Sequence, residues 1–378
     1  MDELSEILAA CRRADEAGRP AVLATVVRVA GSTYRRPGAR MVFLADAEPV
    51  GFISGGCLEG DLAERARSVV ESGEAQTVVY DMRSPDDVVW GLGLGCGGEV
   101  RVLLERLSPG ERPAHLEFLE SCRQSREAGA VATVFRVEGG LDARVGDRVT
   151  LRAGAEPRVD IESPKLGRRI AEDVKSVLER GASEVKQYGL ADGIAEVLVE
   201  YVSPLVSLVV FGAGGDALPL VRFAKALGWH VTIADNRSGY ANAERFPEAD
   251  AIRLVDFDRL EEDAPPIDEL SPVVVMTHHF LRDLELMRFL LPSRAPYLGF
   301  LGPRKRTEML LAELASEGVR PTRTQLGRVF GPVGIDIGSE TPEEIALSAL
   351  AEIRAVLGGR DGGFLKDRSA PLHDATRT

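Results

Sequence analysis

A stretch near the start of this chain returns, diverged, in its middle third. Cys122-Arg123-Gln124-Ser125-Arg126-Glu127-Ala128-Gly129 resembles Cys11-Arg12-Arg13-Ala14-Asp15-Glu16-Ala17-Gly18. Thr133-Val134-Phe135-Arg136-Val137 matches Thr25-Val26-Val27-Arg28-Val29. At that same offset Gly139, Arg144, Gly146 and Arg148 fall on Gly31, Arg36, Gly38 and Arg40, and Tyr188 falls on Tyr80. Residues 196–200 then echo 101–105 after a deletion. Self-similarity of this kind marks a duplicated supersecondary unit. Each copy reads helix, strand, strand, helix, strand. In the first copy these are 2–17, with Leu4, Ile7, Leu8 and Cys11 on one face, then 21–30, 40–45, a helix ending at Ser72, and a strand at 75–82; a further strand follows at 99–105. The expectation is a duplicated α+β domain, residues 1–107 and 108–203, with the second copy packed on the first.

The copies differ in one respect. The first carries two glycine-rich cysteine loops, Gly51-Phe52-Ile53-Ser54-Gly55-Gly56-Cys57-Leu58-Glu59-Gly60 and Trp90-Gly91-Leu92-Gly93-Leu94-Gly95-Cys96-Gly97-Gly98. The second copy puts Lys165 opposite Cys57 and lacks the 90–98 stretch altogether. Loops that only closed the fold would be needed twice, so chemistry is expected in copy one and scaffolding in copy two. Glycine admits positive φ and close approach to the backbone. Cys57 precedes a helix, where the positive end of the dipole favours a thiolate, the nucleophilic and metal-ligating form. The bland reading is that both cysteines are small buried hydrophobes. Cys11 and Cys122 lie in helical register with core positions.

Residues 204–358 read differently. Leu205-Val206-Ser207-Leu208-Val209-Val210-Phe211 is an apolar run of the sort buried on both faces of a parallel sheet. Gly212-Ala213-Gly214-Gly215-Asp216-Ala217 follows, then a helix, then a strand closed by Asp235. This is a Rossmann-type strand–turn–helix–strand–acid unit, in which backbone amides meet a phosphate and the acid meets a ribose. Further strands are expected at 251–257 and 272–277, the latter ending in Thr277-His278-His279 at a carboxyl edge. Arg304, Lys305 and Arg306 open a helix, a placement that makes sense if they meet an anion. Thr341-Pro342-Glu343-Glu344 is a capping box before an apolar stripe. Residues 359–378 form a polar tail expected to be disordered.

A net charge of −13 argues against nucleic-acid or anionic-membrane surfaces. No apolar run reaches the ~18 residues of a membrane span. The start, Met1-Asp2-Glu3-Leu4, does not resemble a signal peptide, and four scattered cysteines do not read as a disulfide framework. A cytoplasmic setting is expected.

Ser54-Gly55-Gly56-Cys57-Leu58-Glu59-Gly60 resembles the first signature of the XdhC/CoxI family, and residues 90–98 are similar to its second. The GAG turn at 212–214, residues 274–278, 297–304, and 334–346 resemble its Rossmann-like half, so the likeness covers roughly 1–358. It implies an α/β protein: the duplicated α+β domain followed by a Rossmann-like, doubly wound parallel sheet. It also implies an accessory protein, a cofactor chaperone more than a turnover enzyme, that binds molybdenum cofactor (molybdopterin). Such a protein supports the cofactor's sulfuration with a cysteine desulfurase and delivers it to a molybdenum hydroxylase apoenzyme such as xanthine dehydrogenase. Relatives of this kind commonly form homodimers. On that reading Cys57 and Cys96 face one cleft and ligate molybdenum or hold a persulfide, with Glu59 orienting Cys57 or taking its proton. Ser54, Gly55, Gly56, Gly95 and Arg36 contact the cofactor. Gly212, Gly214, Gly215, Asp235, His278 and Arg304 serve the Rossmann-like domain, for which NAD(P) or another nucleotide stays open. Many relatives carry His after Gly-Ala-Gly where this chain has Gly215-Asp216. Two other readings stand beside it: an NAD(P)-dependent oxidoreductase with His278 as acid–base group, and a redox-sensing interaction protein using the Cys57/Cys96 pair.

Overall fold

The apolar spacing of the first helix, α1 (Glu3–Glu16), turns Ile7, Leu8, Ala10, Cys11 and Ala14 inward. They pack on Ala21, Leu23 and Val42 of the sheet that follows. That sheet holds β1 (Ala21–Gly31), β2 (Arg40–Leu44) and β3 (Ala47–Gly51). After α2 (Glu59–Ser72) it is completed by β4 (Gln76–Asp81) and β5 (Gly98–Leu107), in the antiparallel order β3-β2-β1-β5-β4. The structure is a computed structural model and describes residues 3–45, 47–83 and 98–369. Within them the chain divides into two units, Glu3–Pro204 and Leu205–Ser369.

The second half of the first unit runs α3 (Ala114–Ser125), β6 (Gly129–Gly139), β7 (Arg148–Arg152), β8 (Arg158–Asp160), α4 (Pro164–Arg180), β9 (Glu184–Leu190) and β10 (Gly193–Val202). Its strand order, β8-β7-β6-β10-β9, repeats that of the first sheet. The register repeats as well. Ala21 pairs with Leu44 and Leu107, and its counterpart Gly129 pairs with Arg152 and Val202. Even the β-bulge recurs: the ladder skips Val27 between Val26 and Arg28, and skips Phe135 between Val134 and Arg136. A bulge re-aims the side chain it leaves unpaired. Val27 and Phe135 join Leu103 and Leu198 in a core shared by the two sheets. The opposite face of the first sheet is covered by α2, through Leu62, Ala66 and Val69, and that of the second by α4, through Leu166, Ile170, Val174 and Val177.

The edge strands β3 and β8 were not expected. Every residue of β8 and three of the five in β3 are exposed, so neither carries the alternating apolar pattern that announces a strand.

In the second unit the chain runs β11 (Ser207–Phe211), α5 (Ala217–Ala226), β12 (His230–Asp235), β13 (Ala251–Leu254), α6 (Leu260–Asp263), β14 (Val273–Val275), α7 (Phe280–Leu290), β15 (Leu298–Phe300), α8 (Arg304–Ser316), α9 (Arg323–Leu326), β16 (Val329–Phe330) and α10 (Pro342–Leu357). The strands form one parallel sheet, β13-β12-β11-β14-β15-β16. Leu208 and Val210 face a core shared with α5 and α10, and Val209 and Phe211 face one shared with α7 and α8. This is the doubly wound arrangement that the apolar run of β11 implied. Two strands are shorter than expected. After Leu254 the chain leaves the sheet, and Asp256 caps a short 3₁₀ turn by accepting from the Asp258 amide at 3.1 Å.

Candidate functional site

The Cys57 loop is organised by Glu59, the first residue of α2. One carboxylate oxygen accepts the backbone N–H of Ser54 at 2.7 Å and of Ile53 at 3.2 Å. The other accepts the N–H of Leu58 at 3.1 Å and the Ser54 hydroxyl. Ser54 Oγ in turn accepts the N–H groups of Cys57 at 2.9 Å and Leu58 at 3.0 Å. Burial works to raise the pKa of Glu59, but the bonds from the Ser54 hydroxyl and the backbone amides outweigh it and hold the carboxyl below its ordinary value. Its charge also suits the helix start. Glu59 therefore shapes the loop, and both its oxygens are taken up in doing so.

Gly56 sits at φ 105°, where a side chain is strained. A Cβ on Gly55 or Gly56 would meet no atom within 4 Å among the described residues, so none of them covers the outer face of the loop. Cys57 is a free, half-buried thiol that touches the α2 side of the core. Beside the loop, Phe52 lies 6.2 Å from Tyr34 between ring centroids, and the Arg35 guanidinium sits 4.4 Å over the Phe52 ring. Arg35 is tied to Glu3 at 2.9 and 2.5 Å. Arg36, the other cation of this turn, has no acidic partner among the described residues. Its Nε is buried without a hydrogen-bond partner there, and burial lowers its pKa.

Copy two cannot build this loop. α4 already begins at Pro164, so Lys165, opposite Cys57, lies inside the first helical turn. Gly167 stands opposite Glu59, and a Cβ there would come within 2.6 Å of Val159. The counterparts of Tyr34 and Phe52 are Asp142 and Asp160. Cys96, Gly95 and the rest of the second loop up to residue 97 lie outside the described residues. The expected convergence of two thiols therefore concerns Cys57 alone here. Cys11 and Cys122 are buried in the core between α1 and α3, and burial raises both thiols to about 11.

In the Rossmann-like unit the chain steps from β11 out through β12 and β13, then returns to β14 on the other side of β11. Ligands bind at the carboxyl ends flanking such a switch. Gly212, at φ 114°, is pressed so close to β14 that a Cβ would lie 2.4 Å from the Met276 carbonyl oxygen. Two features depart from a dinucleotide site. First, Asp216 Oδ1 folds back over the turn, 2.4 Å from where a Gly214 Cβ would be, and Asp216 Oδ2 lies 2.7 Å from His278 Nε2. His278 holds a left-handed backbone, φ 58°, a conformation that costs a non-glycine residue roughly 1–2 kcal/mol. A carboxylate thus stands where a diphosphate would need bare amides. Second, Asp235 is buried with its oxygens engaged. It accepts the Ala213 N–H at 2.8 Å, the Arg237 N–H at 2.9 Å, and the Arg237 guanidinium at 2.9 and 2.7 Å. A ribose would have to displace Arg237. The geometry gives NAD(P) no support.

The basic turn at 304–306 meets anions, but the protein's own. Arg306 binds buried Asp283 at 2.9 and 2.6 Å, and Asp283 accepts from Thr277 at 2.5 Å, which pins the starts of α7 and α8 to the loop after β14. Arg304 is largely exposed and pairs with Glu308 one turn on. Sequence reasoning missed the roles of Asp216 and Asp283, whose partners His278 and Arg306 are remote in sequence, and of Arg237, which turns back on Asp235 through a conformation that no motif encodes.

Two family models match this chain: the XdhC and CoxI family over residues 14–81, and the XdhC Rossmann domain over 208–353. A Bacillus subtilis protein, named as a probable subunit of xanthine dehydrogenase, is 32% identical over 340 residues, which are 88% of this chain and 92% of that protein. The chain belongs to the XdhC and CoxI family. The Escherichia coli molybdenum cofactor insertion chaperone PaoD is 24% identical over 340 residues, 90% of this chain and 84% of its own. A Bacillus halodurans protein solved by crystallography as a xanthine dehydrogenase superposes with a TM-score of 0.75 at 30% identity, over 98% of each chain. Among the described residues, no helix of this XdhC-type chain is long and apolar enough to cross a membrane, and no group of three or more His, Cys, Asp or Glu side chains could hold a metal ion.

Proposed function

We propose that this chain is an accessory protein that binds molybdenum cofactor and delivers it to a xanthine dehydrogenase-type hydroxylase. The observation that carries the reading is the Cys57 loop. A carboxylate and a serine hydroxyl hold a half-exposed thiol at a helix start, under an open glycine face, in one copy of a duplicated unit and not the other. A soft thiolate suits a sulfur-rich molybdenum centre. Arg36, whose buried Nε has no partner among the described residues, suits the anionic end of a phosphorylated pterin. The name of the E. coli relative agrees with this assignment. Sulfuration with a cysteine desulfurase as sulfur source, a homodimeric state, a cytoplasmic setting and a second thiol from Cys96 complete the proposal, and their support is the family resemblance.

The test is to purify the chain from cells that make the cofactor and to assay molybdenum and pterin together. Cys57→Ser is expected to lose at least ~10-fold of the co-purifying cofactor, as removal of a metal-site contact does. Full retention in both Cys57→Ser and Cys96→Ser would overturn the thiol role.

A further inference from the structure

The carboxyl edge of the parallel sheet carries another hollow, lined by residues that the glycine turn does not use. An open cleft of about 560 Å³ lies among the loop after β15, the loop after β16 and the start of α10. That is the size of a small-molecule site, typically ~300–1,000 Å³. Its walls are apolar: Leu301, Pro303, Pro332, Val333, Ile335 and Ile345. The loop after β16 is fixed in advance. The Gly334 N–H donates to Glu352 at 2.9 Å, and Gly334, at φ 109°, lies so close to α10 that a Cβ would be 2.3 Å from Ser348 Oγ. Ser348 donates to the Ile335 carbonyl at 2.6 Å. Glu352 also accepts from Tyr297, whose ring stacks on Phe330 at 4.6 Å.

This held loop places Asp336 on the cleft. The residue is exposed, and among the described residues no cation or N–H group pairs with it. None of the described lining residues is Lys or Arg, so the cleft is not built for a phosphate. A plain hydrocarbon would strip water from Asp336 and return nothing. What a lone carboxylate between apolar walls accepts well is a flat ring with two adjacent N–H donors, bound in two-point fashion. We propose that this cleft takes the 2-amino-4-oxopyrimidine edge of a fused heterocycle, a pterin or a guanine, with Asp336 accepting from the ring N–H and the amino group together. Choosing a pterin as the natural ligand rests on the proposed function; the edge chemistry does not.

The experiment is a fluorescence titration of the full chain with pterin, with lumazine, which has an oxo group in place of the 2-amino group, and with guanosine monophosphate as competitor. Pterin is expected to bind roughly 10- to 100-fold more tightly than lumazine, the scale of hydrogen bonds to a charged acceptor. Asp336→Asn, an exposed substitution in a loop held by other residues, is expected to abolish that preference. Competition by guanosine monophosphate assigns the edge to a base as well; failure to compete assigns it to the pteridine alone. Equal binding of pterin and lumazine, no binding of pterin, or an unchanged preference in Asp336→Asn would each overturn the inference. Cofactor retention by the Asp336→Asn protein, measured separately, tells that failure apart from failure of the chaperone reading.

Discussion

Arg40 of the first copy grips Glu200 of the second at 2.9 and 2.5 Å, and Arg148 of the second copy reaches back to Glu105 of the first at 2.6 Å. The two pairs are counterparts, and so are the glycine carbonyls they share: Arg40 also donates to Gly38 at 2.8 Å and Arg148 to Gly146 at 2.6 Å. Burial opposes the charge of Arg40, but Glu200 and Glu105 outweigh it and lift the guanidinium above its usual value.

Breaking one of these pairs should be costly. Glu200→Leu leaves Arg40 charged, buried and half-satisfied, and is expected to lose about 3–5 kcal/mol. Replacing both residues, Arg40→Met with Glu200→Leu, is expected to cost less than either single change. Urea denaturation of the three variants gives the cycle; a double variant no better than the singles would contradict it.

His115 makes the same region acid-sensitive. It is buried, its Nε2 has no partner among the described residues, and burial, followed by the charges of Arg148 and Arg40, holds its pKa well below the usual value. Glu105 and Glu200 are already committed to those arginines. The folded chain therefore keeps a neutral ring while the unfolded chain takes up a proton near pH ~6.5. Stability should drop as the pH falls below that point, with a slope approaching about 1.4 kcal/mol per pH unit. His115→Leu is expected to remove this share. Identical stability–pH slopes for the two proteins between pH 7.5 and 5 would be the contrary result.

Glu59→Ala removes the acceptor for three backbone amides and a hydroxyl. The expected cost is about 1–2 kcal/mol, the scale of a lost helix cap. Cys57 should then alkylate several-fold faster with iodoacetamide, because the loop no longer fixes it. Unchanged labelling kinetics would mean that the carboxylate does not hold the thiol's position.

The two glycines before Cys57 should separate stability from binding. Gly56→Ala forces a side chain into φ 105° and is expected to cost about 1–3 kcal/mol. Gly55→Ala meets no described residue and should stay within about 0.5 kcal/mol of the parent. If cofactor lies on that open face, Gly55→Ala should still lower the amount that co-purifies. Calorimetry on both, paired with the cofactor assay, checks this.

Much of this architecture could be read from residues alone, because the signals were periodic or local. The β-branched run that became β1, the apolar run that became β11 and the Thr341 capping box each announce their structure within a few neighbours. Asp235 shows where that kind of reading stops. Its place after β12 was legible, but its engagement by Arg237 and the Ala213 amide depends on a turn conformation no pattern encodes. Arg306 likewise read as a cation awaiting an anion, and the anion is Asp283 in the first turn of α7. In the Cys57 loop the residue types were legible, while the division of labour between Ser54 and Glu59 came from geometry.

The matched ion pairs and matched bulges mean that the copies meet as the halves of a symmetric dimer would, self-complementary about one axis. Here a peptide tether joins them, so dilution cannot separate the partners. The pairing of the two copies within residues 3–204 should accordingly be indifferent to protein concentration.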